Sequence, residues 1–418
     1  MGSGSTKVDR IITGANEVVT GITNSPGTLR RLNDVSIAVA DGRIAAVETD
    51  EAIEKGFDTA EAEYIDASGS IVLPGYVDCH THLVFGFSRA KEYALKMTES
   101  IAEIEKKGIL TGIPASIEMT RRATEEQLYA DALDRLQRML RHGTTTVESK
   151  SGYGINRDDE LKILMVNQRL AASQPVDIVS TFLGAHDFPP EIDRLNQRQR
   201  LGYIDELVTD IIPEVAQRGL AEFCDIYCDE GYYTAEEAKR ILRAGIDNGL
   251  GAKIHADAYA TIGGVAMAAQ LPAVSADHLN YTPPEELSAL AANGVVGVVL
   301  PALDFAVAHP QPFTIAEMVD RGVTLALGTN LNPGNWTESM KFVMVLACRN
   351  HGFSLEQAVL ASTIDAARAI RREGSIGSLE VGKQADMQIV HLPSLEHIIY
   401  RLDCNPVSSV IKNGQVVV

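Results

Sequence analysis

Along the chain the spacing of apolar positions changes character twice. From about residue 7 to 73, apolar and polar residues alternate in short runs, the period of two that half-buried strands require. Within this region "VSIAVADGRIAAVET" reads as a hairpin turning at Asp41-Gly42. The far C-terminus returns to the same pattern in "ADMQIV" and in "SSVIKNGQVVV", which turns at Asn413-Gly414. Between them, near-continuous apolar runs alternate with longer amphipathic stretches. The apolar runs are "GYVDCHTH", "TTTVESK", "DIVSTFLGAH", "EFCDIYCDE", "GAKIHAD", "AVSADHL", "VVGVVLPA" and "TLALGTN". Segments such as "TEEQLYADALDRLQRMLRHG" and "TAEEAKRILRAGIDNG" have helical spacing and close on glycine. Eight strand–helix units over roughly 300 residues predict an α/β chain folded as a (β/α)8 TIM barrel. A doubly wound sheet would want a glycine-rich phosphate turn after its first strand, and none is there. The expected organisation is a barrel over 74–372. Residues 1–73 and 373–418 then build one small composite β-sandwich domain from both termini.

Composition changes this picture little. The 418 residues are 45% apolar and 22% charged, enough to bury a large core. Lys and Arg number 37 against 56 Asp and Glu, and the net charge of −19 opposes nucleic acid and anionic membranes as partners. No apolar run approaches the roughly 18 residues of a membrane-spanning helix. The opening "MGSGSTKVDR" has no apolar signal core and reads as a polar leader, so a cytoplasmic setting is expected. The five cysteines lack a zinc-type CxxC spacing, and Cys224 and Cys228 fall in a strand-like run, as reduced buried thiols do.

Barrels of this kind build their sites from the C-terminal ends of the strands, and those ends can be read directly. The first run ends in His80-Thr81-His82, and a period of two sets both imidazoles on one face. The third ends in His186, the fifth in His255, the sixth in Asp277-His278 and the eighth in Asn330. Five of ten histidines thus stand at strand ends. Three imidazoles can hold one divalent metal with a position open for water; zinc is the default, and iron and manganese also accept such donors.

"PGYVDCHTH", "KIHAD", "SADHL" and "LGTNLNPG" together resemble the amidohydrolase superfamily of metal-dependent hydrolases. "CHTHLVFGFSRAKEY", "GTTTVESKSGYG", "TFLGAHDFPPE" and "CDEGYYTAEEAKRIL" are similar to its imidazolonepropionase branch, and the resemblance runs from about 71 to 390. It implies that His80, His82 and His255 bind the metal and that His278 orients the attacked group or the water. It implies that Arg89 grips a substrate propionate, a task suited to a planar guanidinium. Tyr153 and His186 then contact the ring or the carboxylate, and Asn332 and Gly334 form a loop that touches substrate. Relatives being dimers, a homodimer is expected by analogy.

Three positions depart from the branch pattern. After "HAD", a substrate-contacting Glu or Gln is replaced by Ala258. A glycine-rich segment is replaced by "KKGILTGIP" near 106–114. At strand eight the resemblance implies an aspartate that ligates metal and accepts a proton, and here Asn330 stands. An amide has no basic site at neutral pH. Asn330 is either a replacement that stalls turnover or a native residue in a branch with another proton carrier, such as His278. The first two departures fall on the ring side of the expected pocket, whereas Arg89 and Tyr153 are kept. That combination favours hydrolysis of a differently substituted ring with the same tail, a hydantoin or a 2-thioxo-5-oxo-imidazolidine propionate. The latter belongs to breakdown of ergothioneine and would release sulfide. The alternatives are a true imidazolonepropionase of histidine breakdown, a deaminase of the same superfamily, and a catalytically silent ligand-binding barrel.

Overall fold

The computed structural model describes residues 6–25, 28–313 and 315–418. The first five residues of the polar leader lie outside the described residues. The eight apolar runs become eight strands: β1 (Tyr76–Thr81), β2 (Thr144–Lys150), β3 (Asp177–Ala185), β4 (Phe223–Cys228), β5 (Gly251–Ala256), β6 (Ala273–His278), β7 (Val296–Val299) and β8 (Leu325–Leu327). They lie side by side in chain order, all parallel. The barrel closes through residues that follow β8. Thr81 bridges Leu331, the His82 N–H donates to the Leu331 carbonyl at 2.8 Å, and the Asn330 N–H donates to the His80 carbonyl at 2.9 Å.

The last two strands are shorter than their apolar runs. In "VVGVVLPA", Pro301 opens the helix Pro301–Val307, because its fixed φ and missing N–H suit a first helical turn. Helices Glu125–Arg141 and Ala235–Asp247 start at reciprocal caps, Thr124 with Gln127 and Thr234 with Glu237. "SLEQAVLASTIDAARAI" yields two helices, Leu355–Ala361 and Ile364–Arg368, interrupted at Thr363 (φ −131°, ψ −96°).

The terminal segments meet in two sheets. In the six-stranded one, Ile71–Pro74 pairs antiparallel with Met387–Val390 and parallel with Glu17–Ser25, so both ends of the chain share a sheet. The four-stranded one contains the Asp41-Gly42 hairpin, whose two positive φ values (49° and 72°) are those of a tight turn matched to strand twist. Ile12, Ile37 and Ile44 of this sheet pack with Val72, Met387 and Ile411 of the other as one core. No helix among the described residues is long and apolar enough to cross a membrane.

Candidate active site

The five strand-end histidines come together. Ring centroids of His80 and His255 lie 4.6 Å apart, His255 and His278 5.1 Å, and His82 stacks on His186 at 4.8 Å. All five are buried. Burial first, and neighbouring positive groups second, hold His80, His82 and His278 well below the usual imidazole range and push His186 down to about 3. Neutral rings are what metal ligation requires. The histidine nitrogens fall into two candidate ligand sets, His80 with His255 and His278, and His82 with His186 and His255, and a third set joins His255 to Asp225 and Asp277, each within 4.8 Å. The expected trio His80, His82, His255 is thus divided between two sets that share His255.

The rings are aimed from behind. His80 Nδ1 lies 2.6 Å from Asp277 Oδ2, and His255 Nδ1 lies 3.1 Å from Asp225 Oδ2. A carboxylate only accepts, so each Nδ1 carries the proton and each Nε2 keeps its lone pair. His80 Nε2, His255 Nε2 and His82 Nδ1 are buried and make no hydrogen bond. Three orphaned nitrogens in a buried cluster, two of them backed by carboxylates, fit a divalent metal.

Sequence reading missed the layer beneath. Lys150 Nζ contacts Asp225 at 2.7 Å, Glu148 at 3.0 Å and Asp277 at 3.4 Å, all fully buried. Lys253 Nζ reaches Glu148 at 3.1 Å. Burial alone would depress Lys150, but the carboxylates Asp225, Glu148 and Asp277 outweigh it and hold the ammonium above its usual range. The signal was present, since Glu148 and Lys150 alternate along β2 as inward-facing residues must.

Arg89 sits at the start of helix Ala90–Lys96 rather than on a strand. Its Nε and one terminal nitrogen donate to the two Glu92 oxygens, both at 2.6 Å, and the other nitrogen donates to Ser116 at 3.2 Å. Lys96 also reaches Glu92, at 2.5 Å, so two cations share one carboxylate and a net positive charge remains. Arg89 lines a cavity of about 410 Å³ with Tyr93, Tyr259, Ala308 and Gly334. A Cβ at Gly334 would stand 3.1 Å from the Arg89 guanidinium, so this glycine lets the cation lie against the backbone.

Tyr153 is buried, with its ring 5.3 Å from both His82 and His186. Its loop is folded around Glu160, whose carboxylate accepts the N–H groups of Gly152, Gly154 and Ile155 at 3.1, 2.7 and 2.9 Å. A Cβ at Gly154 would come within 2.4 Å of the Glu160 nitrogen. Gly154→Ala is therefore expected to cost about 1–3 kcal/mol through overpacking and to weaken ligand binding by shifting Tyr153. Urea unfolding and a ligand titration check both effects.

Asn330 and Asn332 face different duties. Asn330 adopts φ +49°, and its Oδ1 accepts from Asn332 Nδ2 at 3.1 Å. Asn332 also donates to the Asn330 carbonyl at 2.8 Å, while its own Oδ1 accepts from the Gly334 and Asn335 N–H groups at 2.7 and 3.1 Å. The Asn332 side chain is engaged in shaping the loop itself.

The sequence profile of the amidohydrolase family matches residues 71–417. The chain belongs to the amidohydrolase family. Among amidohydrolases it is 41% identical to the imidazolonepropionase of Geobacillus sp. (strain WCH70), over 97% of each chain. It is 43% identical to the imidazolonepropionase of Brevibacillus brevis (strain 47), over 93% of this chain and 91% of that one. Its fold is shared with an adenosine deaminase from Xanthomonas campestris solved with bound zinc (TM-score 0.71, 19% identity, 98% and 93% covered). A triazine hydrolase variant superposes as well (TM-score 0.72, 18% identity, 99% and 95% covered).

Proposed function

We propose that this amidohydrolase hydrolyses a five-membered imidazolone-type ring carrying a propionate, imidazolone propionate being the substrate its relatives point to. The observation that carries the reading is a buried five-histidine cluster, with Tyr153 beside it, in a chain 41% identical to an imidazolonepropionase. His80, His82 and His255 are the proposed metal ligands, with Asn330 at the fourth position, and zinc is the ion this imidazole set suits best. When bound, a divalent ion supplies Lewis acidity and lowers the pKa of a water toward neutrality.

The chain's own residues do the rest. Asp277 and Asp225 keep His80 and His255 in one tautomer and one orientation. The ring of His278 (φ +84°), 5.6 Å from that of His80, makes no hydrogen bond among the described residues. Its neutral imidazole can donate to the oxygen that develops negative charge when the ring carbon becomes tetrahedral. Arg89 holds the propionate, and Tyr153 and His186 orient the ring, which lowers the entropic part of the barrier. A cytoplasmic setting suits the five free thiols.

One observation favours the differently substituted ring. Ala258 is buried and presents no polar group where the resemblance implies Glu or Gln. A 2-thioxo or hydantoin propionate is the second reading on that ground. The deciding experiment is a product assay on imidazolone, hydantoin and 2-thioxo propionates, with metal content measured on the same samples. Ring opening or sulfide release identifies the substrate, and metal-loaded protein that transforms none of the three sinks the proposal. Arg89→Met should raise KM about 100-fold, the loss of a charge-assisted carboxylate pair, with a smaller change in kcat. An unchanged KM would remove Arg89 from the carboxylate site.

A further inference from the structure

Around position 258 the neighbours are more informative than the alanine. His309, just beyond helix Pro301–Val307, brings Nε2 to 2.9 Å from the Ala258 carbonyl. A carbonyl only accepts, so Nε2 carries a proton and donates it to residue 258. His309 is itself held from several sides. Its backbone N–H donates to the Asp304 carbonyl at 2.9 Å, and its Nδ1 accepts from the Gln311 N–H at 3.1 Å. The Asp304 carboxylate in turn accepts from Asn280 Nδ2 at 3.0 and 3.1 Å. Among the described residues, His309, Asp304 and Asn280 make no hydrogen bond to His80, His82, His255 or Asn330.

Tyr259 rests on the His309 ring, with centroids 4.9 Å apart and planes inclined by 33°. Its N–H donates to Asp229 Oδ2 at 2.9 Å, which fixes the backbone from the opposite side. The side chain is 48% exposed and lines the same cavity as Arg89 and Gly334. Nothing among the described residues bonds its hydroxyl. A braced aromatic ring with a free hydroxyl, in the cavity of the proposed carboxylate-binding arginine, is equipped to read a ligand's polar substituent.

We infer that Tyr259, braced by His309, selects among ring substituents in the Arg89 cavity, the task left open by Ala258. The inference rests on the proposed function, because it presupposes a ring whose carboxylate reaches Arg89. A tyrosine hydroxyl donates well to a carbonyl oxygen and poorly to sulfur, so its removal discriminates between 2-oxo and 2-thioxo rings. His309 is a positioning residue in this scheme, acting through the Ala258 carbonyl and the Tyr259 ring.

The test is calorimetric titration of hydantoin propionate and its 2-thioxo analogue, which differ at one atom. The proteins are the unaltered chain, Tyr259→Phe, His309→Ala, His309→Gln and Arg89→Met. Tyr259→Phe should weaken the 2-oxo compound about 10-fold, the worth of one hydrogen bond, and the 2-thioxo compound by less. His309→Ala should shift the ratio in the same direction, and His309→Gln, whose amide can donate to the Ala258 carbonyl, should restore it. Arg89→Met should weaken both compounds equally. If Arg89→Met weakens both while Tyr259→Phe leaves their ratio unchanged, the role of Tyr259 is overturned and the proposed function stands. If the unaltered chain binds neither compound, the role of Tyr259 is overturned, whereas the proposed function falls only if imidazolone propionate is left untransformed as well.

Discussion

Asn330→Asp should raise kcat on the ring substrate by roughly 10²–10⁴-fold, the usual contribution of a positioned general base. The backbone is already prepared for the exchange. Residue 330 is pinned by its N–H to the His80 carbonyl at 2.9 Å and by Asn335 Nδ2 on its own carbonyl at 3.1 Å. Its φ of +49° is one that aspartate tolerates nearly as well as asparagine. Asn332 Nδ2, now donating to the amide oxygen at 3.1 Å, can donate equally to a carboxylate. The substitution therefore adds a proton acceptor without asking the loop to move. Steady-state kinetics of both forms, with metal content measured in parallel, check it. Equal kcat at equal metal content would place proton handling elsewhere, with His278 the first candidate.

The second large effect is on stability. Lys150→Met should cost about 3–5 kcal/mol, the penalty for removing one partner of a buried ionic cluster. Lys150 lies within 3.4 Å of Asp225, Glu148 and Asp277, and none of these side chains reaches solvent. Without the ammonium, three carboxylates share Lys253 and the two histidine N–H groups. Asp277 and Asp225 would then reorient or take up protons, and His80 and His255 would lose their aim. Urea unfolding should show a lower midpoint at unchanged slope, and metal retained after dialysis should fall. A variant within about 1 kcal/mol of the original chain would mean that protonation of the carboxylates replaces the lysine at little cost.

Much of the site was legible because of barrel geometry. Parallel strands all point the same way, so the last residues of each run must meet at one end, and His80, His82, His186, His255 and His278 do. Hairpin turns at Asp41-Gly42 and Asn413-Gly414 were equally readable, since few residues tolerate positive φ at two successive positions. The Arg89–Glu92 pair was harder, because an i, i+3 spacing on a loop-to-helix junction is common on solvated faces. That the Asn332 side chain closes its own turn was not readable either, since its partners are mostly backbone groups of the same loop.

By itself, then, the sequence determined the order of strands, the two-ended sandwich, and which residue types arrive at the barrel mouth. Each follows from local period and chain direction. Tertiary structure alone decided which nitrogen of each imidazole is free, because that depends on Asp277 and Asp225 from other strands. It also decided that Lys150 balances three carboxylates and that His309 stands behind Ala258. Apart from Lys150–Glu148, two positions apart on one strand, these are pairings between residues 30 to 197 positions apart in the chain. No local period encodes them; they exist only once the barrel has closed and excluded water from its interior.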